Sequence, residues 1–364
     1  MKICVNKEIF LETISKVTNV INPRSNLPIL SNVLVEAVGS KMKLTATDLD
    51  IGITTQIQTT VNEPGAITIP AKRFFEIIKE LPEGDIRIVV KKNNSIHIES
   101  NDCFFKLMGL PKEEFPKLPD FKNKDVLKFN QATLLSMLEL TSFAVSHDET
   151  RYVLNGILFE TNGQNLTLVA TDGRRLALIS KDIISKGPGK NEHFIVPTKA
   201  IQELMRALRQ SEEDVNFVLT ENQALFEIGN TSIVSRLIEG GFPNYKQVIP
   251  VDNPYNARLE RLVFLSALRR ASLLTTTDYQ TVRLELFKDK MVISKSTPDV
   301  GESREEIPMQ YQGKEMVIGF NPYYLVEVLK NLRVPEVCLE FSDPEKPALL
   351  KEGDYLYVVL PMRI

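Results

Sequence analysis

The sequence predicts an α+β protein of three similar domains, each with two helices gathered on antiparallel sheets. Three observations lead there. A strand–turn–strand stretch recurs, strand–helix openings recur ahead of it, and matching proline-rich connections separate the copies. Internal repetition is read first because it dictates architecture.

The clearest hairpin copy is Tyr152 to Leu178, YVLNGILFETNGQNLTLVATDGRRLAL. Val153, Ile157, Phe159, Leu166, Leu168 and Val169 suit strands, because branched and aromatic side chains fit a pleated, half-buried surface. Asn162-Gly163 suits a tight hairpin turn, and Thr171-Asp172-Gly173 marks a second turn. An earlier copy runs from Leu27 to Ile53: Leu30–Glu36 aligns with Leu154–Glu160, and Lys43–Asp48 with Leu166–Asp172. Thr281–Ser296 is a fainter third copy without the Thr-Asp turn.

Each copy opens with a strand and an amphipathic helix. Met1–Val5 precedes Ile9, Ile14, Val17 and Val20 at near-helical spacing. Val126–Phe129 precedes Leu134, Leu135, Leu138 and Phe143, and Ala257–Leu259 precedes Val263, Phe264, Ala267, Leu268 and Ala271. After each hairpin comes a second strand–helix pair, at Ile67–Lys72, Phe194–Lys199 and Met316–Pro322. Each carries a proline near the first helical turn, where a missing N–H is harmless. Alternating strands then follow: Ile86–Val90 with Ser95–Ile98, Val215–Leu219 with Ala224–Ile228, and Val337–Phe341 with Tyr355–Val359. The connections Phe115–Pro119 and Phe242–Pro250 read as boundaries. They divide the chain into 1–120, 121–250 and 251–364.

A chain of 364 residues, 43% apolar, can fill two or three cores. Its net charge of −3 does not mark a nucleic-acid binder. Cys4, Cys103 and Cys338 fall in no pairing or metal-ligand spacing and are expected to be reduced. The opening MKICVNKEIFLETISKV lacks the apolar centre of a signal peptide, and no apolar run approaches a membrane span. A soluble, cytoplasmic protein with no membrane partner is expected.

Catalytic motifs are sparse. The chain has no phosphate-binding loop and no Gly-x-Ser-x-Gly elbow. Asp48 and Asp50 could mimic a Mg²⁺ pair, but Asp is equally at home in turns. The helical segments carry Lys72, Arg73, Lys199, Arg206, Arg209, Arg261, Arg269 and Arg270 on an acidic remainder. That pattern suggests one basic surface attracting phosphates; ordinary charged helix faces are the competing reading. No base-reading module is present. Arg174, Arg175 and Leu176, with the ending Leu360-Pro361-Met362-Arg363-Ile364, could form an adaptable surface for a partner peptide, or could simply finish strands.

The threefold repeat, Thr171-Asp172-Gly173-Arg174-Arg175-Leu176, Phe242-Pro243-Asn244-Tyr245 and the ending Leu360–Ile364 together resemble the bacterial β sliding clamps, the processivity subunits of DNA polymerase III. Leu27-Pro28-Ile29-Leu30 and Arg151–Gly156 add to the likeness, which covers the whole chain. The resemblance implies a non-enzymatic tether without metal or cofactor. It implies a head-to-tail homodimer closed into a ring of six domains around double-stranded DNA, held without sequence preference. It implies a partner-peptide groove at Leu154, Thr171, Gly173, Arg174, Arg175, Leu176, Pro243, Val248, Tyr324, Val358, Leu360, Pro361, Met362 and Arg363. The replicative polymerase catalytic subunit, the clamp loader, repair polymerases and mismatch-repair proteins are the implied clients. Arg24, Arg73 and Tyr152 would meet DNA; Phe105 would meet Leu273 and Leu274 across the dimer seam. Asp148 and Glu149 are an acidic departure from the family near the DNA, Arg174 stands where a histidine is frequent, and Gln247 where a basic residue is common. Two other readings stay open: a metal-dependent enzyme built on Asp48, Asp50 or Asp172, and a monomeric peptide-binding scaffold.

Overall fold

The computed structural model describes all residues except 22–26, 120, 122–125, 163 and 183–191. The described residues contain six α-helices: α1 (Lys7–Thr18), α2 (Ala71–Glu80), α3 (Gln131–Thr141), α4 (Thr198–Ala207), α5 (Arg261–Ser272) and α6 (Pro322–Asn331). Their starts follow local chemistry. Asn6 caps α1 by accepting from the Glu8 N–H, and Asn321 caps α6 by accepting from the Tyr323 N–H, with Pro322 in the first turn. Pro70 takes the cap position of α2 itself.

The chain packs as two compact units, Met1–Ala132 with Lys199–Leu237, and Thr133–Thr198 with Ile238–Ile364. The first contains a five-stranded and an eight-stranded sheet, the second a nine-stranded and a four-stranded one. All strand pairs are antiparallel. This division cuts across the three sequence repeats, and the reason is strand pairing. In the first unit the Thr231–Arg236 strand of the second repeat pairs with Ile51–Gln58 of the first, with Ile233 opposite Ile53. In the second unit the Tyr355–Val359 strand of the third repeat pairs with Arg175–Asp182 of the second, with Tyr357 opposite Ala177. A sheet edge is a row of unmet backbone groups, and each repeat meets its neighbour's edge with its own.

The strand pattern corrects the sequence reading in one respect. Each repeat closes with a three-stranded meander, not two strands. Cys103–Met108 and Thr231–Arg236 complete the first two, and Ala348–Glu352 lies between the two strands expected in the third. The hairpin at Asn162 closes one residue later than a turn centred on Asn162-Gly163 would: Thr161 pairs with Leu166, the Asn162 N–H donates to the Asn165 carbonyl (3.3 Å), and the Asn162 Oδ1 accepts from the N–H groups of Gln164 and Asn165; Gly163 lies outside the described residues.

Alternation sets the cores. Ile157, Phe159, Leu166 and Leu168 are buried along one hairpin, and Val33, Val35, Met42 and Leu44 along its counterpart. α1 packs on α2, with the Phe10 and Phe74 rings edge to face at 5.5 Å. α5 packs on α6, and Phe264, Leu268, Leu325 and Leu329 are buried on the two helices. Arg261 at the start of α5 donates to the carbonyls of Val334 (2.7 Å) and Leu329 (2.8 Å), satisfying groups at the end of α6.

One glycine is required by close approach. A Cβ on Gly156 would overlap the Val196 carbonyl oxygen across the strand pair. Gly156→Ala is expected to cost about 1–3 kcal/mol, seen as a lower urea midpoint, because overpacking a strand contact forces the backbone apart. Gly241→Ala, where a Cβ meets nothing within 4 Å, is the neutral control.

Candidate functional site

The repeated Thr-Asp turn is built from its own side chains. Thr171 Oγ1 accepts from the Gly173 N–H (3.0 Å) and donates to the Arg175 carbonyl (2.6 Å). Asp172 Oδ1 accepts from the N–H groups of Arg174 (2.9 Å) and Arg175 (3.0 Å). Gly173 takes the left-handed conformation this needs, φ 84°. The first repeat builds the same turn at Thr47–Ile51, with Asp48 accepting from Asp50 and Ile51 and with Leu49 at φ 81° in place of glycine.

That construction accounts for the Asp48 and Asp50 pair. The Asp48 carboxylate caps the turn and also receives the Lys199 ammonium, while Asp50 lies 3.8 Å from the Arg236 guanidinium. Among the described residues no three His, Cys, Asp or Glu side chains converge as metal ligands.

Arg174 and Arg175 are neighbours with opposite fates, because Arg174 still belongs to the turn whereas Arg175 opens the buried strand Arg175–Asp182. Arg174 is exposed, whereas Arg175 turns inward and is 9% exposed. Its guanidinium donates to Asp172 (3.1 Å), to the Glu327 carboxylate and to the Phe143 carbonyl (2.7 Å). It also lies 4.7 Å from the Tyr324 ring centre. Burial opposes its charge, but Tyr357, Glu327 and Asp172 outweigh that and raise its pKa above the ordinary arginine value. Arg175 therefore ties the Asp172 turn and the segment after α3 to α6.

Next to it lies an apolar cluster of Leu158, Val169, Leu176, Ile195, Tyr245, Leu349 and Val358. Of the residues assigned to the groove, Leu154, Leu176 and Val358 are buried, and Thr171, Tyr324, Pro361 and Met362 are half-buried. Gly173, Arg174, Pro243, Val248, Leu360 and Arg363 are exposed. The chain end is held in place: the Leu360 N–H donates to the Arg174 carbonyl (2.9 Å) and the Met362 N–H to the Gly319 carbonyl (2.8 Å). The Thr281 hydroxyl donates to the Arg363 carbonyl (3.3 Å). Tyr245 was not among the sequence-assigned residues, yet it sits inside the cluster with its hydroxyl on Glu160. The aromatic after Phe-Pro-Asn, beside a hydrophobic turn, was the available signal.

The remaining assignments are dispersed. Arg24 lies outside the described residues. Arg73 is exposed on α2, and Tyr152 is 58% exposed in a turn capped by Asp148. Asp148 accepts from the Thr150 hydroxyl and N–H, which lowers its pKa, and it lies 3.8 Å from Arg151. The helix cations divide. Lys199, Arg206, Arg209 and Arg270 pair with Asp48, Glu203, Glu12 and Glu305, and Arg261 is spent on carbonyls. Among the described residues Lys72, Arg73 and Arg269 make no ion pair. At the seam positions Phe105 is 39% and Leu273 79% exposed, with Leu274 half-buried. Phe104 and Met108 on the same edge strand are exposed too and went unread in the sequence.

Three family models tile the chain: the N-terminal domain of the DNA polymerase III beta subunit matches residues 1–119, the central domain 128–244 and the C-terminal domain 246–363. The chain belongs to the DNA polymerase III beta subunit family. It is 35% identical to the beta sliding clamp of Proteus mirabilis and 33% identical to that of Escherichia coli strain K12, each covered 100% on both sides. Its fold superimposes on the Bacillus subtilis sliding clamp with a TM-score of 0.96, at 30% identity over 100% of this chain and 99% of that one. It superimposes on the Pseudomonas aeruginosa clamp bound to griselimycin at 0.95, with 33% identity and 100% of both chains covered. Members of this family are processivity factors, so the chain is a DNA sliding clamp and not an enzyme. The metal-dependent enzyme reading is set aside.

The cluster carries a pH dependence. Burial, then the bond to Glu160, raises the Tyr245 pKa above 10.0, and burial does the same for Tyr355 and Tyr357. The unfolded chain releases these protons near pH 10 while the folded one keeps them. Stability is therefore complete below about pH 10 and falls as pH rises beyond it. Tyr245→Phe should flatten that alkaline fall in melting temperature; an identical slope would count against the assignment.

Proposed function

We propose that two copies of the chain close head to tail into a ring of six domains, with boundaries at 1–120, 121–250 and 251–364, that encircles duplex DNA. The observation that carries this reading is the exposed edge strand Cys103–Met108, whose Phe104, Phe105 and Met108 face solvent in a family of clamps. An apolar edge strand calls for a partner. The Gly301–Pro308 edge and the exposed Leu273 of the third domain, with Leu274 beside it, are the complementary half from a second copy. Family membership along the whole chain supports the same reading.

DNA would be held by cations without sequence readout. Arg24, Arg73 and Tyr152 are the proposed contacts, joined by Lys72 and Arg269, which make no ion pair among the described residues. Client peptides would dock beside the Leu176–Val358 cluster, with Val248 and Leu360 as exposed apolar contacts and Arg174 offering charge to peptide carboxylates. The replicative polymerase catalytic subunit, clamp loader, repair polymerases and mismatch-repair proteins are the proposed clients. A cytoplasmic location fits replication. Among the described residues no helix is long and apolar enough to cross a membrane.

After loading, the protein should stay on closed circular DNA at salt that strips it from linear DNA, because topology survives when phosphate attraction is screened. Equal loss from both would refute the ring. Val248→Asp should weaken binding of a polymerase tail peptide by about tenfold or more at unchanged melting temperature. Unchanged affinity by titration would move the groove elsewhere.

A further inference from the structure

The described part of the connection between the first two repeats, residues 110–119 and Phe121, crosses a sheet whose two halves belong to different repeats, and it crosses at their joint. The joint is the pairing of Ile51–Gln58 with Thr231–Arg236, in which Gly52 stands opposite Val234. Ile51 and Ile53 point to one face, and α1 packs on that strand. Gly52 and Val234 therefore share the other face.

That second face is covered by the connection itself. The connection leaves the first repeat through Leu110, whose backbone exchanges hydrogen bonds with Thr68 at 3.0 and 3.2 Å. It makes one turn at Lys112–Glu114 and buries Phe115. Leu118 then lies directly over Gly52: a Cβ built there would stand 2.6 Å from Leu118 Cδ2 and 3.1 Å from Cδ1. Phe121 packs on the patch formed by Val218, Leu225 and Val234. One short segment thus places Leu118 on the first repeat's side of the joint and Phe121 on the second's. Gly52 is buried and has an ordinary negative φ, so backbone freedom does not explain it. Its missing side chain is the seat for Leu118. The second joint is filled differently: Leu176 occupies the place of Gly52, opposite Val358, and Tyr245 belongs to the same apolar cluster.

We infer that Phe115–Pro119 with Phe121 is a strap that locks the first two repeats together, with Leu118 as its bolt and Gly52 as the socket. The strap's apolar side chains keep water from the joint's ladder and resist shear between the two strands. It forms one wall of a cleft of about 1400 Å³ whose lining on the sheet side includes Glu36, Lys43, Lys128 and Glu227, so it rests on the sheet surface and is not sealed inside a core. A strap held by three apolar side chains, Phe115, Leu118 and Phe121, can lift without unfolding either repeat, and lifting it loosens the joint alone.

The test uses the full-length protein with Leu118→Ala, which removes the bolt, and Gly52→Ala, which blocks the socket. Backbone hydrogen exchange is followed by mass spectrometry. Both variants should speed exchange on the order of tenfold in segments 51–55 and 231–235, leaving 41–45 and 223–227 near the parent rate. Tryptic cleavage after Lys117 should quicken in parallel. The double variant should be little worse than either single one, since both break the same contact. Unchanged exchange at the joint in both variants, or equal acceleration across every strand of the unit, would overturn the strap.

Discussion

The structure depends on the two strand pairs that join successive repeats. A β-strand left at an edge exposes a row of donors and acceptors, and three separate domains would expose several such rows. Here Thr231–Arg236 closes the edge of Ile51–Gln58, and Tyr355–Val359 closes that of Arg175–Asp182. Eight- and nine-stranded sheets result from modules that could each build only part of one. The cost is that repeats cease to be independent bodies, which is why the compact units fall across them. Single backbone bridges at Leu110, Ile238 and Met362 cover further edges at the matching place in each repeat.

Local chemistry then decides what each joint can do. The Thr-Asp turn feeds both, using the same hydroxyl and carboxylate caps. Past the turn the two diverge. At the second joint Arg175 gathers Asp172, Glu327 and the Phe143 carbonyl around one buried cation. Such a group is costly to strip of water unless it is paired, and here each of its three nitrogens donates to an oxygen. At the first joint the Asp48 carboxylate takes Lys199 from α4. One position carries an exposed Arg174 beside an apolar cluster; the other carries Asp50 and Leu49 beside a strap. The proposed partner groove belongs to the first of these settings.

Much of the fold was legible because the repeat supplied three readings of each element. Alternation marked Ile157 and Phe159 as core, and helical spacing marked Leu325 and Leu329. Cys103–Met108 escaped because four of its six side chains are exposed and none is fully buried, leaving no alternation to see. The basic helix surface was overread for a different reason. Lys199 meets Asp48 across 151 positions and Arg270 meets Glu305 across 35, and no local pattern announces such pairs. Arg175 is told from Arg174 only by where the turn ends and the strand begins, which the sequence does not mark. Tyr245 sat in a motif noticed for its prolines.

Native-state hydrogen exchange on the unmodified protein weighs the shared-sheet account most directly. Amides in 51–55 and 231–235, and those in 175–179 and 355–359, should be protected as strongly as the within-repeat hairpin 166–170, because breaking either joint requires opening the sheet that holds it. Joint amides that exchange at loop rates while the hairpin stays protected would mean that the repeats fold as separate bodies and merely touch, and the account would fail.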